Sequence, residues 1–178
     1  QVFARWPVAG AREITGYAYI RDPNGLAIPR ESGASIWELD VDTETGKIFN
    51  MKTVTANSMG FMIYPLGCES QTDQGITQGG MAVFMDNFVD LPTGKNLAYN
   101  YVYNNVPTHM EFGTIGKGLV PFNKPGGQAH PFGANASAEG QPNPHFGAIA
   151  NALYNATGVR FPHGPFTPDK VLAALGKV

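Results

Sequence analysis

The sequence has little cysteine and little charge. Cys68 is the only cysteine among 178 residues, which excludes an internal disulfide, a zinc site built from several cysteines, and an iron–sulfur cluster held by this chain alone. Charged residues make up 15% of the chain and the net charge is −2, so composition gives no basis for expecting a nucleic acid partner. No apolar run approaches the ~20 residues of a membrane-spanning helix. The low charge favours a chain with much buried surface.

Glycine and proline are abundant instead, with 22 and 14 copies, and they predict many loops. A chain of this length can bury the core of one domain. We interpret residues 1–33, which lack strong periodicity, as an irregular arm packed on a partner chain, and residues 34–178 as the domain. The sequence begins with Gln1, so we expect a processed chain or a fragment, and the compartment, cytoplasmic or periplasmic, stays open.

A β-hairpin is the clearest local prediction. Residues 35–42 alternate apolar and polar side chains, and residues 47–56 are rich in threonine, valine and isoleucine, with a glycine-bearing loop between them. The inward face of the first strand carries Ser35, Trp37, Leu39 and Val41. Its acidic residues fit a solvated outer face better than a metal site.

The next segments predict a loop over residues 57–67 and a helix over residues 69–89. Apolar residues repeat there at i, i+3, i+4 and i+7, which predicts a buried stripe; it consists of Met81, Phe84, Met85 and Phe88. Gly75, Gly79 and Gly80 lie in the first half of this helix. Such glycines let a ligand or another part of the chain come close, and tight helix–sheet packing is the simpler explanation.

The second half of the chain predicts two strands and two helices. The tyrosine-rich residues 96–104 and residues 110–122 read as strands. An apolar stripe then predicts a helix that ends at Gly158; its members are Phe146, Ile149, Ala150 and Leu153. Thr167 is a favourable N-cap for a last helix. The whole pattern predicts an α+β fold in which a β-hairpin and a mixed sheet pack against helices.

Residues 131–140 are the strongest candidate for a functional loop. Their side chains are mostly small, and a bare backbone suits close approach to a bulky ligand. Glu139, the carboxylate at the end of the loop, suits a general base or a hydrogen-bond acceptor. From the loop alone a structural explanation is preferred, because most glutamates are solvated and a carboxylate that precedes a helix is stabilised by the helix dipole.

Three blocks of the sequence resemble, in the same order, the molybdenum subunit of the xanthine dehydrogenase/aldehyde oxidase family. The hairpin is similar to that family's E-V-D-x-E-T-G segment. Residues 60–79 are similar to its G-x-x-I-N-P-x-x-V-E-x-Q-I-x-G-G-x-x-Q-G segment, and residues 131–140 to its P-F-G-A-K-G-x-G-E-P loop. The loop at residues 131–140 forms the third block together with residues 148–160 and 165–175, which resemble the family's A-I-A-N-A-I-x-D-A-x-G-V-R and P-x-T-P-E-K-V-L-A-A-L segments. The family has Asp, Asn, Gly and Lys where this sequence has Ser58, Tyr64, Gln74 and Asn135.

The resemblance implies the C-terminal portion of a molybdopterin-binding domain. It implies a molybdenum–molybdopterin cofactor, in its simple or its cytosine dinucleotide form, and Glu139 as the catalytic base. Residues implied to contact the cofactor are Gln71, Gln78, Gly79, Asn135, Ala136, Ser137 and Ala138. None of them is expected to ligate the metal, and the four histidines are interpreted as surface residues or as independent of the cofactor.

The family's subunit is several times longer than this sequence, which implies partner chains. We expect a larger molybdenum-binding chain with the remaining cofactor loops, and an iron–sulfur subunit. Iron–sulfur clusters, FAD or haem would belong to partner subunits. The substrate would be a small molecule such as an aldehyde or an N-heterocycle, oxidised with water. Two alternatives stay open: a non-catalytic structural subunit of such a complex, and an unrelated β-rich binding module.

Overall fold

The computed structural model describes residues 32–85, 89–121, 133–135 and 137–178. The arm predicted for residues 1–33 therefore falls almost wholly outside the described residues. Its last two residues, Ser32 and Gly33, lie in the first strand, and the arm itself stays a prediction. No helix within the described ranges is long and apolar enough to cross a membrane.

The predicted β-hairpin is confirmed. Strand β1 (Ser32–Val41) pairs antiparallel with strand β2 (Ile48–Gly60). The turn between them forms because the Asp42 carboxylate accepts a hydrogen bond from the Glu44 amide at 2.8 Å, and because Gly46 adopts the left-handed backbone that the turn needs.

Strand β2 is longer than predicted, and residues 57–60 were wrongly expected to be loop. Asn57 and Met59 continue the inward alternation of the strand and are buried. Asn57 pairs on both sides, with Gly33 of β1 and with Leu119 of a later, parallel strand, β5 (Phe112–Pro121). The resulting three-stranded mixed sheet has the order β1-β2-β5, as the fold prediction required.

The tyrosine-rich segment is not a strand over its predicted length. Only two-residue strands form near it, β3 (Val89–Asp90) and β4 (Lys95–Asn96). The side chain of Asn100 explains the difference, because its oxygen accepts hydrogen bonds from the amides of Val102 and Tyr103 and closes a turn. The tyrosines that the pattern predicted to pack are exposed: Tyr99, Tyr101 and Tyr103.

Helix α1 (Pro65–Phe84) buries a different face from the one predicted. Met81, Phe84 and Met85 are only partly buried, and Phe88 lies outside the described residues. The buried face instead carries Thr72, Gly75, Ile76, Gly79, Gly80 and Val83. The helix presents its glycines to the interior because other parts of the chain come close to its backbone there.

The C-terminal helices agree well with their sequence signals. Helix α2 (Asn143–Thr157) ends at Gly158, whose φ of 73° is the left-handed cap that glycine favours. Helix α3 (Pro168–Ala174) follows Thr167 as its N-cap. Helix α2 packs against β1, and α1 packs against β2 and β5. The core between them includes Trp37, Met51, Ile76, Ile149, Leu153 and Phe166.

Candidate active-site loop

The first half of the small-residue loop is fixed to the end of β2. The amide of Phe61 donates to the carbonyl of Gly133 at 2.8 Å, and the amide of Asn135 donates to the carbonyl of Met59 at 3.0 Å. Gly60 lies between these bonds, with a φ of +63°, and a Cβ there would overlap the Gly133 carbonyl. This close approach requires glycine at position 60.

The second half of the loop is fixed through Ser137. The side-chain amide of Gln71, on α1, donates to the Ser137 carbonyl at 3.2 Å. The side-chain amide of Gln141 donates to the Ser137 hydroxyl at 2.8 Å. Two glutamines from different parts of the chain therefore hold one serine, and Gln71 and Ser137 lie together as predicted site residues.

Gln141 was not identified from the sequence. Its side chain is fully buried, and its backbone amide donates to the carbonyl of Ala138 at 3.1 Å. It packs on Gly75, where an added Cβ would lie 2.8 Å from the Gln141 Cβ. No local signal marks Gln141, because its role depends on a contact with a residue far away in the chain.

Glu139 lies in the turn between Ser137 and Gln141. It is exposed, and its carboxylate has no hydrogen-bond or ion-pair partner among the described residues. Helix α2 begins at Asn143 and has no acidic residue in its first turn. The dipole effect falls off within that turn, so stabilisation of α2 is a weak explanation for a carboxylate at position 139.

Two buried acceptors near this turn also have no partner within the described part of the chain. They are the Oδ1 atom of Asn135 and the Oε1 atom of Gln141. Buried polar atoms without a hydrogen bond are rare in native proteins. A donor from outside the described residues would satisfy them, whether it belongs to water, a ligand or another chain.

The remaining predicted site residues are distributed differently. Ala138 is exposed on the loop, and Ala136 lies outside the described residues. Gln78 lines a separate shallow cavity of about 400 Å³ beside Phe146, and Gly79 is buried against His145. Among the described residues, no hydrogen bond joins Gln78 or Gly79 to the loop, so their contact with a cofactor stays a prediction.

His145 is buried rather than on the surface. Its Nδ1 atom accepts a hydrogen bond from the indole Nε1 of Trp37 at 3.0 Å. Burial lowers the pKa of His145 to about 4, because the charged imidazolium would lose its hydration. The ring is therefore neutral at physiological pH and acts as a fixed part of the packing between α1, α2 and β1.

The chain does not carry a metal site of its own within the described ranges, where no group of three or more His, Cys, Asp or Glu side chains could hold an ion. The chemical feature that stands out is a bare loop with a free carboxylate, fixed by hydrogen bonds on both sides. The mixed sheet with its packed helices matches the molybdopterin-binding domains of aldehyde oxidoreductases.

Solved structures of molybdenum enzymes share this fold. An aldehyde oxidoreductase from Desulfovibrio gigas superposes with a TM-score of 0.70 at 28% identity, over 82% of this chain and 15% of that chain. The aldehyde oxidoreductase from Desulfovibrio desulfuricans gives a TM-score of 0.67 at 31% identity, over 81% of this chain and 15% of that one.

Sequence comparison gives the same class. The chain is 28% identical over 165 residues to a nicotinate dehydrogenase subunit of Pseudomonas putida, covering 90% of this chain and 13% of the relative. It is 26% identical over 144 residues to a xanthine dehydrogenase molybdenum-binding subunit of Escherichia coli, covering 80% of this chain and 19% of the relative. No protein-family model matches the chain.

The chain is thus homologous to the molybdenum-binding subunits of the xanthine dehydrogenase/aldehyde oxidoreductase family, which are molybdenum-dependent oxidoreductases. It spans only 13–19% of the length of these curated relatives. This homology confirms the resemblance seen in the sequence and argues against an unrelated β-rich binding module.

Proposed function

We propose that this chain is a small catalytic subunit or fragment of a molybdenum hydroxylase that oxidises an aldehyde or an N-heterocycle with water. It supplies Glu139 and part of the molybdopterin site. The observation that carries the proposal is the small-residue loop, whose two halves are anchored to β2 and α1 and which leaves Glu139 exposed between its anchors.

The residues present fit a molybdopterin cofactor. The exposed side of the loop presents Ala138 and Glu139, so no bulky side chain at position 138 blocks the approach of a large planar group. The unpartnered Oδ1 of Asn135 and Oε1 of Gln141 are acceptors, and a pterin carries N–H donors. Gln71 would hold the loop through its amide nitrogen and has its carbonyl oxygen left to accept from the cofactor.

The bound cofactor would supply the redox chemistry by taking two electrons from the substrate. This chain's contribution is to place a base. A general base must be ionised and within hydrogen-bond reach of the proton that it removes, and the Ser137 and Gln141 anchors restrict where the Glu139 carboxylate can lie. Gln78 and Gly79 are proposed to form a further part of the cofactor wall.

Partner chains complete the proposed enzyme. A larger molybdenum-binding chain would carry the remaining cofactor loops, since this chain spans 13–19% of its relatives. The nicotinate dehydrogenase relative is itself named as one subunit of its enzyme. An iron–sulfur subunit would receive the electrons, because a single cysteine cannot hold a cluster. Any FAD or haem of the enzyme is proposed to lie in partner chains too.

Metal analysis of the natively purified protein tests the proposal. We expect about one molybdenum atom per copy of this chain, together with a larger co-purifying chain identified by mass spectrometry. A folded protein of 19.1 kDa that carries no molybdenum and no partner would contradict it.

Replacing the carboxylate tests the catalytic role. In the assembled enzyme, Glu139→Gln should lower kcat by a factor of at least ~10², the lower end of what general bases contribute. Glu44→Gln is the matched control, because Glu44 is an exposed glutamate in the β1–β2 turn that contacts Lys177. Unchanged turnover in Glu139→Gln with full molybdenum content would favour the structural-subunit alternative.

A further inference from the structure

The connection from β2 to α1 exposes an unusual amount of apolar surface. Within six consecutive residues, four large apolar side chains are between 49% and 65% exposed: Phe61, Ile63, Tyr64 and Leu66. We call these four residues the 61–66 ridge. No charged residue occurs from Asn57 to Cys68. Large exposed apolar side chains this close together in the chain, with no charge among them, are typical of a protein–protein contact.

The ridge directly borders the loop that carries Glu139. The Phe61 amide bonds to the carbonyl of Gly133 at 2.8 Å, and Gly60 forms a β-bridge with Ala134. The Tyr64 ring covers Gly67 in the first turn of α1. The ridge and the loop are therefore held as one surface, and whatever covers the ridge also lies next to the loop.

We propose that the 61–66 ridge is the docking surface for the larger chain that carries the remaining cofactor loops. The proposal rests on the proposed function, because a cofactor shared by two chains requires both chains to meet at the loop. The ridge is the apolar surface in contact with that loop. The exposed tyrosines of the turn at residues 99–103 have no hydrogen bond to it among the described residues, so they do not meet this requirement.

The chemistry of the partner follows from the ridge. Aliphatic and aromatic side chains without a nearby charge bind a complementary apolar surface, because the contact removes their apolar area from water. Aromatic residues such as Phe61 and Tyr64 are enriched in the central, dehydrated part of interfaces. We therefore expect an apolar patch on the larger chain beside its own cofactor loops.

Site-specific photo-cross-linking in the native complex identifies the occupant. A photoreactive phenylalanine analogue at position 64 should cross-link to a chain whose sequence matches the part of the relatives that lies outside the matched segment. The same analogue at position 101, where Tyr101 is 83% exposed, is the control and should not give this product. Products confined to this chain, including its residues 1–31, or to a second copy of it, would overturn the proposal.

Disruption gives an independent readout. Ile63→Asp and Leu66→Asp should each reduce the co-purified larger chain, and the molybdenum content, at least tenfold. An acidic residue at position 66 lies in the first turn of α1, where it favours the helix, so loss of folding is not expected to cause the effect. Leu91→Asp is the matched control, because Leu91 is 90% exposed in the β3–β4 turn.

The outcomes separate the docking surface from the proposed function. If the unaltered protein carries molybdenum and the larger chain, and both ridge variants retain them, the docking surface is wrong while the function stands. If the unaltered protein carries neither, the proposed function fails and the docking surface fails with it. Loss of the larger chain in the ridge variants, with retention in Leu91→Asp, supports both.

Discussion

His145 makes the stability of this protein depend on pH. Burial lowers the pKa of His145 from 6.5 to about 4, so the native state binds fewer protons than the unfolded state between these values. The unfolded chain is therefore favoured as the pH falls through this window, while the full contribution of the neutral ring is present above pH 6.5. This shift in the pKa corresponds to a loss of about 3 kcal/mol in the free energy of unfolding between pH 7 and pH 4, at about 1.4 kcal/mol per pKa unit.

The hydrogen bond from Trp37 also favours the neutral form of the His145 ring. Trp37 Nε1 can only donate, so His145 Nδ1 must accept and must carry no proton. Protonation of Nδ1 would remove this bond and leave the indole N–H without its partner in a buried position. The pKa values of Asp42 and Asp169 are lowered from 3.8, chiefly by the hydroxyls of Thr45 and Thr167. These carboxyls therefore destabilise the protein only as the pH falls toward 4 and below, and comparison with His145→Gln cancels their effect.

Denaturant unfolding at pH values from 7 to 4 measures this dependence. We expect the free energy of unfolding to fall by about 3 kcal/mol more in the unaltered protein than in His145→Gln. His163→Gln is the control, because His163 is exposed, and it should retain the dependence of the unaltered protein. Parallel pH curves for the unaltered protein and His145→Gln, or an NMR titration of the His145 ring near pH 6.5, would refute the reasoning.

Two glycine substitutions test the anchors of the loop. Gly75→Ala should destabilise the protein by about 1–2 kcal/mol, because its Cβ would lie 2.8 Å from Gln141 and the strain exceeds the gain in helix propensity. The control Gly147→Ala lies in a helix with open space around it and should be neutral or stabilising. Equal effects of the two variants in chemical denaturation would contradict this. Gly60→Ala should cost at least ~2 kcal/mol and raise amide hydrogen exchange at Asn135, because a left-handed alanine costs about 1–2 kcal/mol and the Gly133 carbonyl is in the way. Gly94→Ala shares the positive φ without the close neighbour, so it should show only the smaller, conformational cost.

Elements with local signals were predicted well from the sequence. The β-hairpin follows from alternation and a glycine turn, and the end of α2 follows from Gly158, whose left-handed φ is observed. The prediction of a strand in the tyrosine-rich segment was wrong, because it rested on strand propensity alone and the side chain of Asn100 closes a turn there. Local rules succeed where the partner of a residue is near in sequence.

The candidate site was predicted only in part, for the opposite reason. The loop and Glu139 were predicted from small side chains and from a family resemblance. Gln71 and Ser137 do contact each other, and their binding of a cofactor stays a prediction. Gln141 and the pair of Trp37 with His145 were missed. Trp37 and His145 are 108 residues apart in sequence, and no pattern on either strand or helix indicates that the two side chains meet.

The glycines of α1 explain how the loop gains a fixed position. Gly75 receives Gln141, and Gly79, one helical turn further along, receives His145, which is also four residues beyond Gln141. Residues 75–79 of α1 and residues 141–145 therefore contact each other at matching four-residue intervals, so the two contacts lie on the same face of α1. Because no side chain of α1 separates them, the backbone of a twenty-residue helix sets the position of Gln141. The placement of Glu139 therefore depends on the packed core, and substitutions that move α1 should affect the carboxylate even when they lie outside the loop.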